Sequence, residues 1–456
     1  MRQRVATGGG FLWTTGIMKK LMFPPPVATK TVYTIWKQIV KLIPPQIVLE
    51  AATETKILSR TFTPWSHLLA LIYQQLTRTE SLNGVCDAAA AFECEWGRMR
   101  GAQVPHRNTF SNANRRRDPK MAELVFWRMF DYLKGLCPEF ASCKYRGFLS
   151  RFKERAIHAL DSSTIQLTLN CFDWARHRRR KAAAKLHMNL DLGNRLPSFA
   201  IVEEASHHDS VRAEATTANL KCGDILVADR AYTDFKFLCS LAMRGVFYVV
   251  RWKRNIKLEV VSARPVEKPE AGKSSEAKVR VLKDEIVKPA MPGTAKSYSC
   301  DGGVLRCVTA EVEYDGKMLE MSFLTNNMEW SARTIAELYR ARWGIETFFK
   351  ELKQTCQIRD FIGYNENAVK WQVWTGLLVH MLLRYLRHVS RWKHSFSRLA
   401  GVVRACAWLR RNVVELLESF GANGTARGGI RVVQVSKPLY LQAFLPFDAG
   451  PMGQHG

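Results

Sequence analysis

The sequence predicts a mixed α/β protein with a helical N-terminal domain, and three observations lead to this fold class. The chain has 456 residues, of which 47% are hydrophobic, enough for two or three domains with cores of their own. Apolar residues recur at helical spacing from residue 31 to about 145. From residue 156 onward, short β-rich runs alternate with helical stretches.

Three stretches predict the N-terminal helices. TVYTIWKQIVKLI and TPWSHLLALIYQQLTRTESL have apolar residues at helical spacing. DPKMAELVFWRMFDYLKGL begins with Asp118 as an N-cap and Pro119 at the first helical position. Residues 1–30, interrupted by glycines and prolines, are expected to be a loose leader.

The next part of the chain predicts a central sheet. AIHALDSSTIQLTL, AKLHMNLDL and LPSFAIVEEA are typical of strands, the last two joined by a hairpin at Gly193 and Asn194. HDSVRAEATTANL predicts a helix, GDILVADRAY a buried strand, TDFKFLCSLAMRG a second helix and VFYVVRWKRN another strand. Three strands, helix, strand, helix, strand is the order of the ribonuclease-H-like fold, a mixed sheet flanked by helices.

More strand-rich sequence occupies about 255–327. KVRVLKDEIVK and VLRCVTAEVEYDGKMLEMSFLTN predict strands, with a hairpin at Asp315 and Gly316. SARPVEKPEAGKSSEAK is typical of a polar loop. We therefore expect a β-rich segment between the last core strand and a helix that begins after Ser331.

The charge of the chain predicts a polyanionic partner. Lys and Arg number 68 against 41 Asp and Glu, a formal net charge of +27. Such an excess over folded sequence favours nucleic acid over a generally cationic surface. Eleven scattered cysteines without a C-x-x-C pair indicate a reducing cytosol and neither a disulfide framework nor a cysteine zinc site. Apolar runs such as TGLLVHML are too short for a membrane span.

Two arginine runs are candidate DNA contacts. The first run, Arg115 to Arg117, is either a solvated helix end or a phosphate clamp, and we weigh these two interpretations equally. The second, in WARHRRRKAAAK, resembles a nuclear-targeting run, but its place beside the first acidic block favours a DNA channel. His207 and His208 are more often structural or solvated than metal ligands. The two runs are Arg115, Arg116 and Arg117, and Arg178, Arg179 and Arg180.

Two aspartates follow buried strand sequence. Asp161 lies within or just after an apolar strand, and Asp229 closes ILVAD at the carboxyl end of another, where α/β sheets bind ligands. A buried carboxylate needs a cation, hydrogen bonds or a metal as partner. Taken singly, a turn cap at Asp161 or a pair between Asp229 and Arg230 is the more common interpretation.

A third acidic residue lies in YRARWGIETFFKELKQ. On a helix, Tyr339, Arg342, Glu346 and Lys353 fall within about 60° of arc and share one face. A solvated salt-bridge stripe is the ordinary explanation, but it does not account for the accompanying aromatic residues. Lys353, about 10 Å along the helix from Glu346, is too far to bind the same ion.

This block is the Y-x2-R-x3-E-x6-K signature, and the chain resembles the DDE transposases of the insertion sequence 4 family. HALDSS resembles the family's first aspartate block and ILVADRAYTDF its second. The similarity runs from about Thr31 to about Glu418, and TVYTIWKQIVKLIPPQ is similar to the family's N-terminal helical domain. Ala231 and Ala182 depart from glycines common in the family, at positions that supply no carboxylate.

The resemblance implies the chemistry. Asp161, Asp229 and Glu346 would be the catalytic residues and would hold two divalent ions, Mg²⁺ or Mn²⁺, for DNA cleavage and strand transfer. Tyr339, Arg342 and Lys353 would bind DNA. The partners would be the terminal inverted repeats and target DNA, with a homodimer assembled on DNA in the cytoplasm, at a bacterial nucleoid.

The expected domains follow from these patterns. They are a leader at 1–30, a helical DNA-binding domain at 31–150, a ribonuclease-H-like core at 151–254 and 328–400, an inserted β subdomain at 255–327, and a basic helical C-terminal region with a variable tail at 401–456. A DNA-binding protein of transposase descent that no longer cuts is the alternative function. Retention of all three acidic residues favours the active enzyme.

Overall fold

The computed structural model describes most of the chain. The described residues are 28–143, 145, 147–167, 176–177, 181–204, 209–252, 256–266, 279–290, 298–314, 316–356 and 361–422. The predictions for residues 1–27 of the leader, for His207 and His208, for Arg178 to Arg180 and for the tail after residue 422 lie outside them. The prediction of a loose leader was wrong for residues 28–30, because Ala28 is buried and the Thr29 backbone N–H donates to Glu415 at 2.7 Å.

The N-terminal part is helical, as the apolar spacing predicts. Thr34, Thr63 and Ser81 each cap a helix by accepting a hydrogen bond from the backbone N–H of its third residue. Asp118 accepts one from the backbone N–H of Lys120 at 2.8 Å. The helices are α1 (Ile35–Lys41), α2 (Pro45–Glu54), α3 (Pro64–Thr77), α4 (Leu82–Ala91), α5 (Glu93–Gly97), α6 (Arg107–Arg116), α7 (Lys120–Leu136) and α8 (Pro138–Ala141).

The central strands have the predicted order. They are β1 (Ile157–Leu167), β2 (Arg176–His177), β3 (Lys181–Asp191), β4 (Leu196–Glu204), β5 (Ile225–Ala228) and β6 (Phe247–Arg251). β3 pairs antiparallel with β1 and β4, whereas β5 pairs parallel with β1 and β6. Helix α9 (Asp209–Thr216) connects β4 to β5, and helix α10 (Phe235–Met243) connects β5 to β6. The order β4, β3, β1, β5, β6 is that of the ribonuclease-H-like fold, and the prediction is confirmed.

The inserted strands continue the same sheet. They are β7 (Leu258–Ala263), β8 (Val279–Pro289), β9 (Leu305–Tyr314) and β10 (Lys317–Thr325). β10 pairs antiparallel with β6, matching Thr325 with Val249, so the described strands form one ten-stranded sheet. Gly316, in the β9–β10 turn, has a φ of +75°, a conformation that a glycine adopts at little cost.

The C-terminal helices pack on both the sheet and the N-terminal helices. They are α11 (Ala332–Ala341), α12 (Trp343–Thr355), α13 (Glu366–Val389), α14 (Phe396–Ala405) and α15 (Val413–Ala422). α13 is buried along most of its length and packs against α3, α6 and α7. Trp371 of α13 donates its ring N–H to the carbonyl of Arg117 at 3.1 Å, which ties it to the end of α6.

The division into domains stays a proposal. The predicted boundary at residue 400 falls inside α14, so we propose the preceding loop at 390–395 instead. In the part of the chain that the structure describes, no helix combines the length and the apolar character that crossing a membrane requires.

Candidate active site

Two of the predicted acidic residues lie at adjacent positions on neighbouring strands. β1 and β5 run parallel and pair Leu160 with Ala228. Asp161 directly follows Leu160, and Asp229 directly follows Ala228. Asp229 follows the last residue of β5, at the carboxyl edge of the parallel strands, whereas β1 continues past Asp161 because β3 still pairs with it.

The contacts of these aspartates differ from the turn cap at Asp161 and from the pair between Asp229 and Arg230 that are the more common interpretations of the sequence. Asp161 lies inside β1 and accepts a hydrogen bond from the backbone N–H of Ser162 at 2.8 Å. Asp229 accepts one from the Tyr339 hydroxyl at 3.3 Å, while the neighbouring Arg230 is exposed. Asp161 also accepts a bond from Arg342, so both carboxylates have contacts that reach beyond a turn or a sequence neighbour.

Helix α11 brings the third acidic block to the sheet. Ser331 caps it, as predicted, by accepting a bond from the backbone N–H of Thr334 at 3.2 Å. Ile335 and Leu338 are fully buried beneath the helix. The ring of Tyr339 lies against Phe323 of β10, with 4.6 Å between the ring centroids. These contacts aim the end of α11 at Asp229.

The predicted single helix at 331–354 is two helices that meet at Arg342. The backbone N–H of Arg342 donates to the carbonyl of Tyr339, and that of Ile345 to the carbonyl of Arg342, both at 3.0 Å. These bonds span three residues rather than four, so the turn is tighter than an α-helix. The prediction of one continuous helix was wrong at this point, although Tyr339, Arg342 and Glu346 still face the same site.

Arg342 joins two of the acidic residues. Its guanidinium donates to Asp161 Oδ2 at 3.2 Å and to Glu346 Oε1 at 2.5 Å. The arginine side chain is 9% exposed, Asp161 21% and Glu346 28%. Charge-assisted bonds of this kind are stronger than neutral ones, and breaking a buried pair leaves an uncompensated charge.

Burial and neighbouring charges shift the pKa values at the site. Burial raises the pKa of Asp161 to about 6, and the nearby Asp229 and Glu346 act in the same direction, while Arg342 opposes them. Burial by itself would lower the pKa of Arg342, but the negative groups around it raise that pKa above its usual range. Burial also raises the pKa of Tyr339 to about 12, so its hydroxyl remains a donor at neutral pH.

Lys353 lies along the same strand as Asp161. Its ammonium donates to the backbone carbonyl of Thr164 at 3.2 Å, three residues beyond Asp161 on β1. This bond places the ammonium beside β1, and the role of Lys353 stays a prediction.

The donors at the site are suited to a hard divalent cation, because carboxylate oxygens are the ligands that Mg²⁺ and Mn²⁺ prefer. Among the described residues, however, no three carboxylate, histidine or cysteine side chains are close enough together to hold one ion. Arg342 lies between Asp161 and Glu346 and supplies the positive charge there. The structure therefore brings the three acidic residues to one region without assembling them around a common point.

The first arginine run divides into two kinds of residue. Arg115 and Arg116 are exposed at the end of α6. Arg117 instead donates its guanidinium to the carbonyls of Phe62 and Thr63, and burial lowers its pKa to about 10. Arg117 thus holds the N-terminal helices together, and we no longer propose it as a DNA contact.

The sequence reasoning missed a buried ion pair beside the site. Arg306 of β9 and Asp284 of β8 are 1% and 5% exposed, and Asp284 lies between the charged residues Lys283 and Glu285 in the sequence. A charged residue between Leu305 and Cys307 was the available signal. Arg306 also contacts the loop that leads into α11.

Comparisons with known proteins agree with the resemblance. The family model described as a transposase DDE domain matches residues 153–382, which is half of the chain and includes the three acidic residues. A protein from Sinorhizobium fredii named as a transposase is 28% identical over 260 residues, covering 57% of this chain and 69% of that protein.

Two further relatives are named as transposases of insertion sequence elements. One, from Geobacillus stearothermophilus, is 26% identical and covers 51% of this chain and 57% of that protein. The other, from Synechocystis, is 24% identical and covers 61% of this chain and 71% of that protein. A piggyBac transposase synaptic complex with hairpin DNA overlaps with a TM-score of 0.40 and 11% identity, covering 90% of this chain and 87% of that one.

The narrower assignment to the insertion sequence 4 family stays a prediction. The match of the DDE domain model over half of the chain supports the broader conclusion. The chain belongs to the family of transposases that contain a DDE domain.

Proposed function

We propose that this transposase binds the terminal inverted repeats of its insertion sequence and catalyses metal-dependent DNA cleavage and strand transfer. The observation that carries the proposal is a chain of contacts at the edge of two parallel strands: Tyr339 bonds Asp229, and Arg342 bonds both Asp161 and Glu346. These residues are far apart in the sequence, so their convergence is a property of the fold rather than of one helix face.

Asp161, Asp229 and Glu346 are the proposed catalytic residues and ion ligands. Members of this family generally use divalent ions. The carboxylates of these three residues offer the oxygen donors that such ions prefer. Bound ions would activate the attacking oxygen and stabilise the leaving oxygen of the phosphodiester. We favour Mg²⁺ or Mn²⁺, two ions per site, which Asp161, Asp229 and Glu346 would hold.

Arg342 has two proposed roles. Without an ion it offsets part of the negative charge of Asp161 and Glu346, which it bonds at 3.2 and 2.5 Å. When DNA arrives, its planar guanidinium is suited to bind a backbone phosphate with two parallel hydrogen bonds. Tyr339, which holds a proton at its hydroxyl, donates to Asp229 and fixes the orientation of that carboxylate.

Lys353, Arg115 and Arg116 are proposed to bind the DNA backbone. Lys353 lies beside β1, near the catalytic residues, whereas Arg115 and Arg116 are exposed on the N-terminal helices. Asn365 and Asn367 at the start of α13 donate to the Arg115 carbonyl, which fixes that surface relative to the core. The net charge of +27 supports a DNA partner. A homodimer assembled on the DNA and a cytoplasmic, nucleoid-associated location remain part of the proposal.

The proposal is tested with a labelled duplex that carries one end of the element. We expect the parent protein to nick it with Mg²⁺ or Mn²⁺ and not in excess chelator. Asp229→Asn should bind the duplex and fail to nick it. The matched control is Asp224→Asn, because Asp224 precedes β5 where Asp229 follows it, and this variant should cut like the parent.

The alternative is a DNA-binding protein of transposase descent that no longer cuts. Specific binding of the element's end, together with no nicking by the parent in either ion, would favour it. Full nicking by the parent in excess chelator would contradict the metal-dependent mechanism.

A further inference from the structure

A buried arginine connects the inserted strands with each other. Arg306 on β9 donates from Nε to Asp284 Oδ1 at 2.8 Å and from Nη2 to Asp284 Oδ2 at 2.7 Å. Asp284 lies on the neighbouring strand β8. Two parallel bonds to one carboxylate fix the plane of the guanidinium as well as its position.

The remaining nitrogen of Arg306 reaches into the loop before α11. Nη1 donates to the carbonyl of Trp330 at 2.5 Å and to that of Asn327 at 3.3 Å. Trp330 immediately precedes Ser331, the N-cap of α11. The guanidinium therefore joins the inserted sheet to the first turn of the helix that carries Tyr339.

Other contacts hold the same loop. Arg264 donates to the Met328 carbonyl at 2.7 Å, and Asn327 Oδ1 accepts the backbone N–H bonds of Glu329 and Trp330 at 3.0 and 2.7 Å. The Trp330 ring packs edge-on against Phe152, with 5.4 Å between centroids. Arg306 is the fully buried charged member of this set, at 1% exposure.

The position of the loop matters because the acidic residues come from separate parts of the fold. Asp161 and Asp229 are fixed by the pairing of β1 with β5. Glu346 lies fifteen residues after Ser331, the N-cap of α11, which is up to about 22 Å of helix at 1.5 Å per residue. A small change in direction at the start of α11 is therefore magnified at Glu346.

We propose that Arg306 is a positioning residue, which sets the direction of α11 and so places Glu346 opposite Asp161 and Asp229. Through Arg306, the inserted strands β8 and β9 then help to bring the three acidic residues together. This inference rests on the proposed function, because it takes Glu346 as catalytic.

Lysine cannot replace the arginine at this place. Its ammonium is a single point with three donors, whereas Arg306 contacts both oxygens of Asp284 and two loop carbonyls from three separate nitrogens. Asp284→Asn, in contrast, removes the charge partner but keeps the arginine donors that face the loop. The two variants separate the loss of the ion pair from the loss of the loop contacts.

The experiment measures the single-turnover nicking rate at saturating end duplex and Mg²⁺, well below the unfolding midpoint of each variant. We expect Arg306→Lys to lower the rate on the order of 100-fold, as misplacement by about 1 Å can do, with duplex affinity unchanged. Asp284→Asn should lower the unfolding temperature at least as much and keep more of the rate. The control is Arg280→Lys, in the exposed pair with Glu311 between the same two strands.

A second variant covers the case in which Arg306→Lys does not fold. Arg264→Ala removes the bond to the Met328 carbonyl and a longer ion pair with Asp284 at 3.9 Å. The Arg264 side chain is 33% exposed, so the variant should fold and lose several-fold in rate. A parent-like rate for Arg306→Lys would overturn the inference, and so would a parent-like rate for Arg264→Ala if Arg306→Lys does not fold. It would also be overturned if the rates of Arg306→Lys and Asp284→Asn simply followed their unfolding temperatures. Parallel measurements on Glu346→Gln keep the two proposals apart, because nicking by that variant refutes the proposed function itself.

Discussion

Replacing Arg342 with glutamine tests whether this arginine competes with divalent ions for the acidic residues. In the structure its guanidinium bonds Asp161 at 3.2 Å and Glu346 at 2.5 Å, and its side chain is 9% exposed. An ion that binds both carboxylates must therefore displace the guanidinium first. Arg342→Gln removes the guanidinium and its positive charge and leaves a polar side chain that is two atoms shorter.

The size of the effect follows from the two bonds. Hydrogen bonds to charged groups contribute about 1.5–3 kcal/mol each, and two that share one guanidinium are not independent, so we take about 3 kcal/mol for the pair. Relief of this competition corresponds to an increase of about 100-fold in Mn²⁺ affinity without DNA. The ion-free variant should also be less stable than the parent by about 3 kcal/mol, because two carboxylates lose their partner.

The assay is a calorimetric Mn²⁺ titration of the DNA-free protein, with thermal unfolding measured at each ion concentration. Arg340→Gln is the matched control, since Arg340 lies two residues earlier and bonds Glu337 at 2.9 Å away from the acidic residues. The control should bind Mn²⁺ as the parent does. If Arg342→Gln binds Mn²⁺ no more tightly than the parent and unfolds at the same temperature, the guanidinium is not the competing cation.

Three further predictions concern protonation and DNA binding. Because the pKa of Asp161 is raised to about 6, Mn²⁺ affinity should fall as the pH is lowered through about 6. Over the same pH range the ion-free parent should gain stability relative to Asp161→Asn, since the folded state binds the Asp161 proton more tightly than the unfolded state does. Mn²⁺ affinity that does not change with pH would contradict this. The double change Arg115→Ala with Arg116→Ala should reduce the slope of log affinity against log salt by about 2 if each contacts one phosphate, and an unchanged slope would remove both from the interface. Lys353→Ala should weaken binding of the end duplex while Mn²⁺ binding stays at the parent level, and the opposite pattern would make Lys353 part of the ion site.

Local patterns in the sequence were sufficient for the elements of the core. The buried run before Asp229 and the hairpin around Gly193 were identified correctly because strand alternation and turn residues are encoded within a few residues. In the hairpin, the residue with positive φ is Arg195, at 59°, rather than Gly193 or Asn194. Which residue of a four-residue turn takes that conformation depends on its packing, which composition does not encode.

Features that depend on distant partners could not be predicted. The tight turn at Arg342 coincides with bonds to Asp161 and Glu346, one of which is 181 residues away in the sequence. Arg117 was expected to be free for DNA, but carbonyls of the α2–α3 loop accept its bonds. The spacing of the inserted strands likewise predicts strands without indicating that β10 pairs with β6.

The most direct test of the account is the nicking of a labelled end duplex by Glu346→Gln. The variant keeps the size of the side chain and removes one negative charge, so we expect no nicking and no strand transfer, with duplex binding equal to that of the parent or slightly tighter. Glu337→Gln on α11, whose carboxylate pairs with Arg340, is the control and should cut normally. Nicking by Glu346→Gln at the parent rate would contradict the assignment of Glu346 as a catalytic residue, and loss of duplex binding would make its role structural.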